Sequence, residues 1–124
     1  MKKVKVSLSV AESADRIKGS LQEKGFTIFC DIDHQANAKD ADLDMPASRV
    51  LIFGNPMAGT KLMQKDITMS FDLPMRIAIV ENDGETFVIH QTTEGYCGLY
   101  DVANHPVLEK VEQLFAGLLL EVSN

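Results

Sequence analysis

From Val4 to Val10 the chain alternates, with Val4, Val6, Leu8 and Val10 apolar and Lys5, Ser7 and Ser9 polar between them. A period of two sends these sets to opposite faces of a strand, one dry and one wet. The spacing then changes: Val10, Ala14, Ile17 and Leu21 recur at helical intervals. Ser9 with Glu12 makes a capping box, and Gly25 after Lys24 supplies a left-handed C-terminus. Together they predict a helix from Val10 to Lys24. A second strand follows at Phe26 to Ile32, rich in β-branched and aromatic residues. In it Phe26, Ile28, Cys30 and Ile32 share one face, and Thr27, Phe29 and Asp31 the other. Cys30 is expected to behave as a small buried hydrophobe.

Asp33 to Leu43 is alanine-rich and reads as a short helix with His34, Ala38 and Ala41 on one side. Val50 to Phe53 is an uninterrupted apolar run, the mark of a strand covered on both faces. It ends at Gly54-Asn55-Pro56, where Asn55 can cap and Pro56 suits the first helical position. The helix that follows, Met57 to Lys65, is weakened by Gly59 and Thr60. Met75 to Glu81 and Glu85 to Gln91 form a hairpin around Asn82-Asp83-Gly84. A three-residue loop pairs Ile79 with Phe87 and sets His90 opposite Arg76, but it also opposes Glu81 and Glu85. A two-residue Asp83-Gly84 turn is the other register. The last helix starts near Asn104 and Pro106 and carries a broad stripe from Val107 to Val122.

The order β-α-β-α-β-α-β-β-α predicts an α+β two-layer sandwich, mainly antiparallel, with helices packed on one face. Residues 1–124 read as a single domain, without repeat or linker composition. Phe29, Ala78 and Val88 are expected on the face that the helices leave uncovered.

Charge narrows the partners. A formal net charge of −6, with the twelve basic residues scattered, argues against nucleic acid and anionic membranes. Lys2, Lys3 and Lys5 cluster, which suits the solvated edge of a first strand. The longest greasy stretch, Leu114 to Leu120, is far too short to span a bilayer, and the start has no apolar leader block, so a cytoplasmic location is expected. Cys30 and Cys97 make no disulfide framework.

Several strings invite chemistry. Gly54-x4-Gly59-Thr60-Lys61 has the glycine spacing of a phosphate-binding loop, but its Thr and Lys are reversed and Pro56 removes a backbone N–H. An anion at the helix start near Asn55 and Thr60 is the softer form of that idea. Asp40, Asp42 and Asp44 alternate like a calcium loop, yet Met45 and Leu51 stand where such a loop needs Gly and Glu. Asp31, Asp33 and His34 meet at one strand-to-helix junction, without the ordered His or Cys spacings of a zinc site. There, either Asp33 caps the helix and His34 packs over alanines, or His34 exchanges a proton with a ligand. Met57, Met63, Met69 and Met75 fill the core or form an adaptable pocket wall.

Other strings are specific in combination. They are Gly25-Phe26, Ile32-Asp33-His34 with Ala36 and Ala38, Ile52 to Pro56, Gly59-Thr60, Leu62-Met63-Gln64 and Asp72-Leu73-Pro74, in that order. Over about residues 10–92 the chain resembles the domain-of-unknown-function 302 family of small prokaryotic proteins. The resemblance implies a two-layer α+β sandwich similar to one repeat of the TATA-binding-protein fold, and a homodimer. It implies no activity, substrate or cofactor, and the stretch from Gln91 to Asn104 departs from the family's usual loop.

Two functional classes follow. The first is a homodimeric small-molecule-binding or interaction module. The second is a small enzyme with His34 as acid or base in one cleft with Asn55, Thr60 and Gln64. Neither class calls for a metal or another cofactor.

Overall fold

In a computed structural model, which describes residues 1–123, five strands form one antiparallel sheet. They are β1 (Lys2–Val6), β2 (Thr27–Asp33), β3 (Ser48–Gly54), β4 (Met75–Asn82) and β5 (Glu85–His90), in the order β1-β5-β4-β3-β2. Five α-helices are present among the described residues: α1 (Val10–Glu23), α2 (His34–Asp40), α3 (Pro56–Lys65), α4 (Thr93–Leu99) and α5 (Pro106–Val122). A 3-10 helix at Ile67–Asp72 joins α3 to β4. Helices α1 and α5 lie side by side over one face of the sheet, giving the α+β sandwich that the pattern predicts.

The helix ends form as their residues dictate. Ser9 accepts the Glu12 N–H at 3.1 Å, and Gly25 at φ +85° closes α1. The Gly25 N–H reaches the Gln22 carbonyl and the Phe26 N–H the Leu21 carbonyl, which is the Schellman arrangement. Asp33 accepts the Ala36 N–H at 2.9 Å and Asn55 the Met57 N–H at 3.0 Å. For α5 the cap is His105, whose Nδ1 accepts from the Val107 N–H, with Pro106 at the first position.

Three expectations need correction. The hairpin takes the two-residue turn: Asp83 and Gly84 both have positive φ, and Asn82 pairs with Glu85. That is the turn whose twist matches the strands, and it spares Glu81 from facing Glu85. A one-residue shift moves every side chain of β5 to the other face. Val88 therefore lies fully buried under the helices opposite Ile79, while Phe87 and Ile89 face outward beside Val80 and Ala78. His90 turns inward opposite Ile77 rather than Arg76.

The second correction is a β-bulge between Ile28 and Cys30. Ile28 opposes Phe53 on the covered face, but Cys30 opposes Ile52 and Ile32 opposes Val50, both on the open face. Cys30 is exposed for that reason, not buried. The bulge also swings Asp31 inward, where Arg49 grips it through Nε–H at 2.8 Å and Nη2–H at 2.6 Å and Lys18 of α1 lies 2.5 Å away. These two cations hold the Asp31 carboxyl down at about 2, against burial that pushes the other way.

The third concerns β3, which is covered on one face only. Leu51 and Phe53 are fully buried, whereas Val50 and Ile52 are half-buried on the open side.

Candidate functional site

A cleft lies at the end of the sheet where β3 runs out into α3. Its volume is about 370 Å³, and its walls are Phe26, Phe29, Met63, Leu73, Pro74 and Met75. Each wall has a local cause. Phe26 is the residue after the Schellman glycine and packs edge-on against Phe53 at 5.8 Å. Phe29 is the bulged residue of β2, and the bulge lays its ring across Gly54. A Cβ at Gly54 would come within 3.2 Å of that ring, so glycine lets the ring lie this close without shifting. Phe29 remains 51% exposed, an aromatic wall with one side in solvent. Met63 comes from α3, where the Ser70 hydroxyl donates to its sulfur at 3.1 Å.

The polar groups of the cleft are few. Asn55, Thr60 and Ser70 line it, and no Asp, Glu, His, Cys, Lys, Arg or Tyr does. The Asn55 carboxamide oxygen is committed to capping α3. The cleft can therefore enclose an apolar body and offer it hydroxyl and amide groups, but it holds no group that titrates near neutral pH.

Of the four residues predicted to share one cleft, the structure brings together Asn55 and Thr60. Gln64 is exposed one helical turn beyond Thr60 and lies outside the lining. His34 is separated from both. It opens α2 after the last residue of β2, whereas the cleft lies beside the first, where Thr27 pairs with Gly54. Six strand steps put the two ends roughly 20 Å apart. At its own end His34 is exposed, Asp33 caps the helix and Asp31 is paired, so the three residues of that junction do not converge. Among the described residues, no group of three His, Cys, Asp or Glu side chains is placed to hold a metal.

The methionines divide. Met69 and Met75 are buried, Met63 and Met75 touch the cleft, and Met57 is exposed. Two elements escaped the sequence reading, the 3-10 helix, whose Ser70 lines the cleft, and α4, which lies outside it. Their caps were readable: Asp66 accepts the Thr68 N–H, and Thr92 accepts the Gly95 N–H, both at 3.0 Å.

Comparison with known proteins agrees with this architecture. The family model "Domain of unknown function DUF302" matches residues 2–120. The fluoride-specific ion channel FluC 1 of Brucella suis biovar 1 is 43% identical over 76 residues, which are 61% of this chain and 30% of that protein. Fluoride-specific ion channel FluC 2 of Brucella melitensis biotype 1 matches at the same identity over 28% of its length. This chain thus spans less than a third of either relative. A crystal structure of an uncharacterized conserved DUF302 protein from Bacillus stearothermophilus superposes with a TM-score of 0.79. That likeness covers 98% of this chain and 96% of the other at 19% identity, a likeness of fold.

Proposed function

This chain belongs to the DUF302 family, a domain of unknown function, and from that premise we propose that it is a binding module for a small, uncharged, largely apolar molecule. One observation carries the reading: a cleft of about 370 Å³ walled by aromatic, methionine and proline side chains, with hydroxyl and amide groups and no ionisable one. The volume falls in the range of small-molecule sites, roughly 300–1,000 Å³. An uncharged lining offers nothing to offset the desolvation of a charged ligand. It also supplies no acid, base or activated nucleophile, which favours binding over the enzyme reading built on His34.

Titration with the neutral fluorophore N-phenyl-1-naphthylamine tests this. Saturable emission with about one probe per chain is expected. Met63→Glu, which sets a carboxylate in the wall, should weaken binding by about tenfold or more. Absence of saturable binding, or equal binding by the variant, would rule the cleft out.

Self-association is a second reading, supported by the open face of the sheet. Ile32, Val50, Ile52, Val80, Phe87 and Ile89 lie there half-buried, with no helix over them. Lys5 and Glu85 pair across β1 and β5 at 2.8 Å, so the rim carries both signs of charge, which suits a two-fold self-contact. In the channel-named relatives the matched segment is about 30% of the length, which supports a module that works beside another part. Light scattering at micromolar concentration decides it: a dimer mass is expected, and a monomer would refute the reading. Among the described residues no helix is long and apolar enough to cross a membrane.

A further inference from the structure

A second cavity of about 200 Å³, chemically unlike the cleft, lies where β4 starts and β5 ends, beside Tyr96 of α4. Its floor is Ala78 and Ile89, its polar walls are Arg76, Gln91, Tyr96 and Asp72, and Met1 and His90 complete the lining. None of these served the cleft described above.

The polar groups are arranged with their hydrogen-bonding capacity unspent. Tyr96 is only 3% exposed, and the little it exposes includes its hydroxyl, which makes no hydrogen bond among the described residues. Burial and the nearby Asp72 push that hydroxyl up to about 12, so it stays protonated and can only be a donor toward an anion. Arg76 carries a guanidinium that forms no ion pair among the described residues. The Gln91 side chain accepts from the Thr92 N–H through Oε1, which leaves its NH2 free to donate. That side chain is held in place by the absence of another: a Cβ at Gly95 would fall 2.0 Å from the Gln91 Oε1. The glycine thus makes room for the carboxamide to lie flat on α4.

Three donors on an apolar floor describe a receptor for one negative charge on a small body. A planar guanidinium matches the two oxygens of a carboxylate. The Asp72 carboxylate, bound by the Tyr100 hydroxyl, lines the same cavity and repels any anion, so the site can hold at most one negative charge, drawn to the Arg76 side. We infer that this cavity is a binding site for a small monocarboxylate, with Arg76 and the Tyr96 hydroxyl on its oxygens, Gln91 as a third donor, and Ala78 and Ile89 beneath its apolar part. It is independent of the neutral cleft.

Benzoate is the probe, followed by isothermal titration and by amide shifts in NMR spectra of the full chain. Saturable binding in the millimolar range is expected, with shifts centred on residues 76–78 and 89–96. Arg76→Gln should weaken it about tenfold or more, and Tyr96→Phe severalfold, with unchanged thermal unfolding for Arg76→Gln. Gly95→Ala, which displaces Gln91, should also weaken it. Met63→Glu should leave benzoate binding intact, so failure here and failure of the neutral cleft are separable. Benzylamine, of the same shape and opposite charge, should not bind. The site is overturned if benzoate does not saturate, if Arg76→Gln binds it as well as the natural chain, or if benzylamine binds equally.

Discussion

The two faces of the sheet are built from the same five strands, and adjacent residues experience different worlds. On the face under α1 and α5, Leu51, Phe53, Ile77, Ile79 and Val88 are fully buried, and Phe53 meets Phe115 edge-on at 6.3 Å. On the open face, Val50, Ile52, Val80, Phe87 and Ile89 keep part of their surface in contact with solvent. Lys3 rests over the Phe87 ring at 4.6 Å and covers some of it. The hydrophobic content of the two faces is similar, so it is coverage that differs. Stability belongs to the covered face, and the surfaces available for recognition are the open face and the sheet ends.

The contrast is sharpest at two neighbours on β3. Phe53→Ala removes a ring enclosed by Phe26 and Phe115 and should cost about 3–5 kcal/mol. Ile52→Ala, one residue back and facing outward, should cost about 1 kcal/mol or less. Urea denaturation of both variants measures the difference. If the two costs were equal, the open face would be as tightly covered in solution as the other, and a partner would have to be covering it.

A smaller effect is expected where the bulge is pinned. Asp31 faces inward only because β2 carries an extra residue at Phe29, and there it joins β2 to Arg49 of β3 and Lys18 of α1. Arg49→Met should cost on the order of 2 kcal/mol at pH 7. The Asp31 carboxyl is depressed from 3.8 to about 2 in the fold. Its contribution is therefore complete above pH 3.8 and is lost as the pH falls through 2. The deficit of the variant should shrink across that window, and a deficit independent of pH would show that packing, not the carboxylate, is responsible. Because the same bulge sets Phe29 against Gly54, the variant should also loosen one wall of the neutral cleft.

These particulars explain what was legible in the chain. Helices α1 and α5 announced themselves through stripes of four and more apolar residues and through caps at Ser9, Gly25 and Pro106, all local signals. Asn55 and Thr60 were found because a strand followed by Asn-Pro fixes where a helix begins. His34 was misplaced with them, since the direction of β2 relative to β3 decides which end of the sheet a residue occupies, and that is a long-range fact. The bulge at Phe29 leaves no mark in composition. It moved Cys30 outward and Asp31 inward, reversing two assignments at once. Tyr96 and Gln91 were unread because α4 is short and rich in glycine, with its cap at Thr92 as the sole local sign.

His90 measures the hairpin register itself. Had β5 paired one residue out of step, its imidazole would lie on the open face beside Arg76. In the observed register it is 8% exposed and stacks on Phe115 at 4.2 Å between ring centres, with 5° between the planes. Its Nδ1 lies 2.8 Å from the Gln91 carbonyl and so carries the proton, while Nε2 is buried without a partner. Burial, aided by Lys2 and the N-terminal amine, holds the imidazole below its usual 6.5, against the Gln91 carbonyl. Below pH 6.5 the unfolded chain therefore takes up a proton that the folded chain refuses, and stability falls with pH. For one group that loss is at most about 1.4 kcal/mol between pH 6.5 and 5.5. The two remaining histidines face solvent more than His90 does, so His90→Phe should remove most of the slope in that interval. Denaturant midpoints compared at the two pH values give the answer. An unchanged slope in the variant would place His90 in solvent, and with it the whole of β5 on the wrong face.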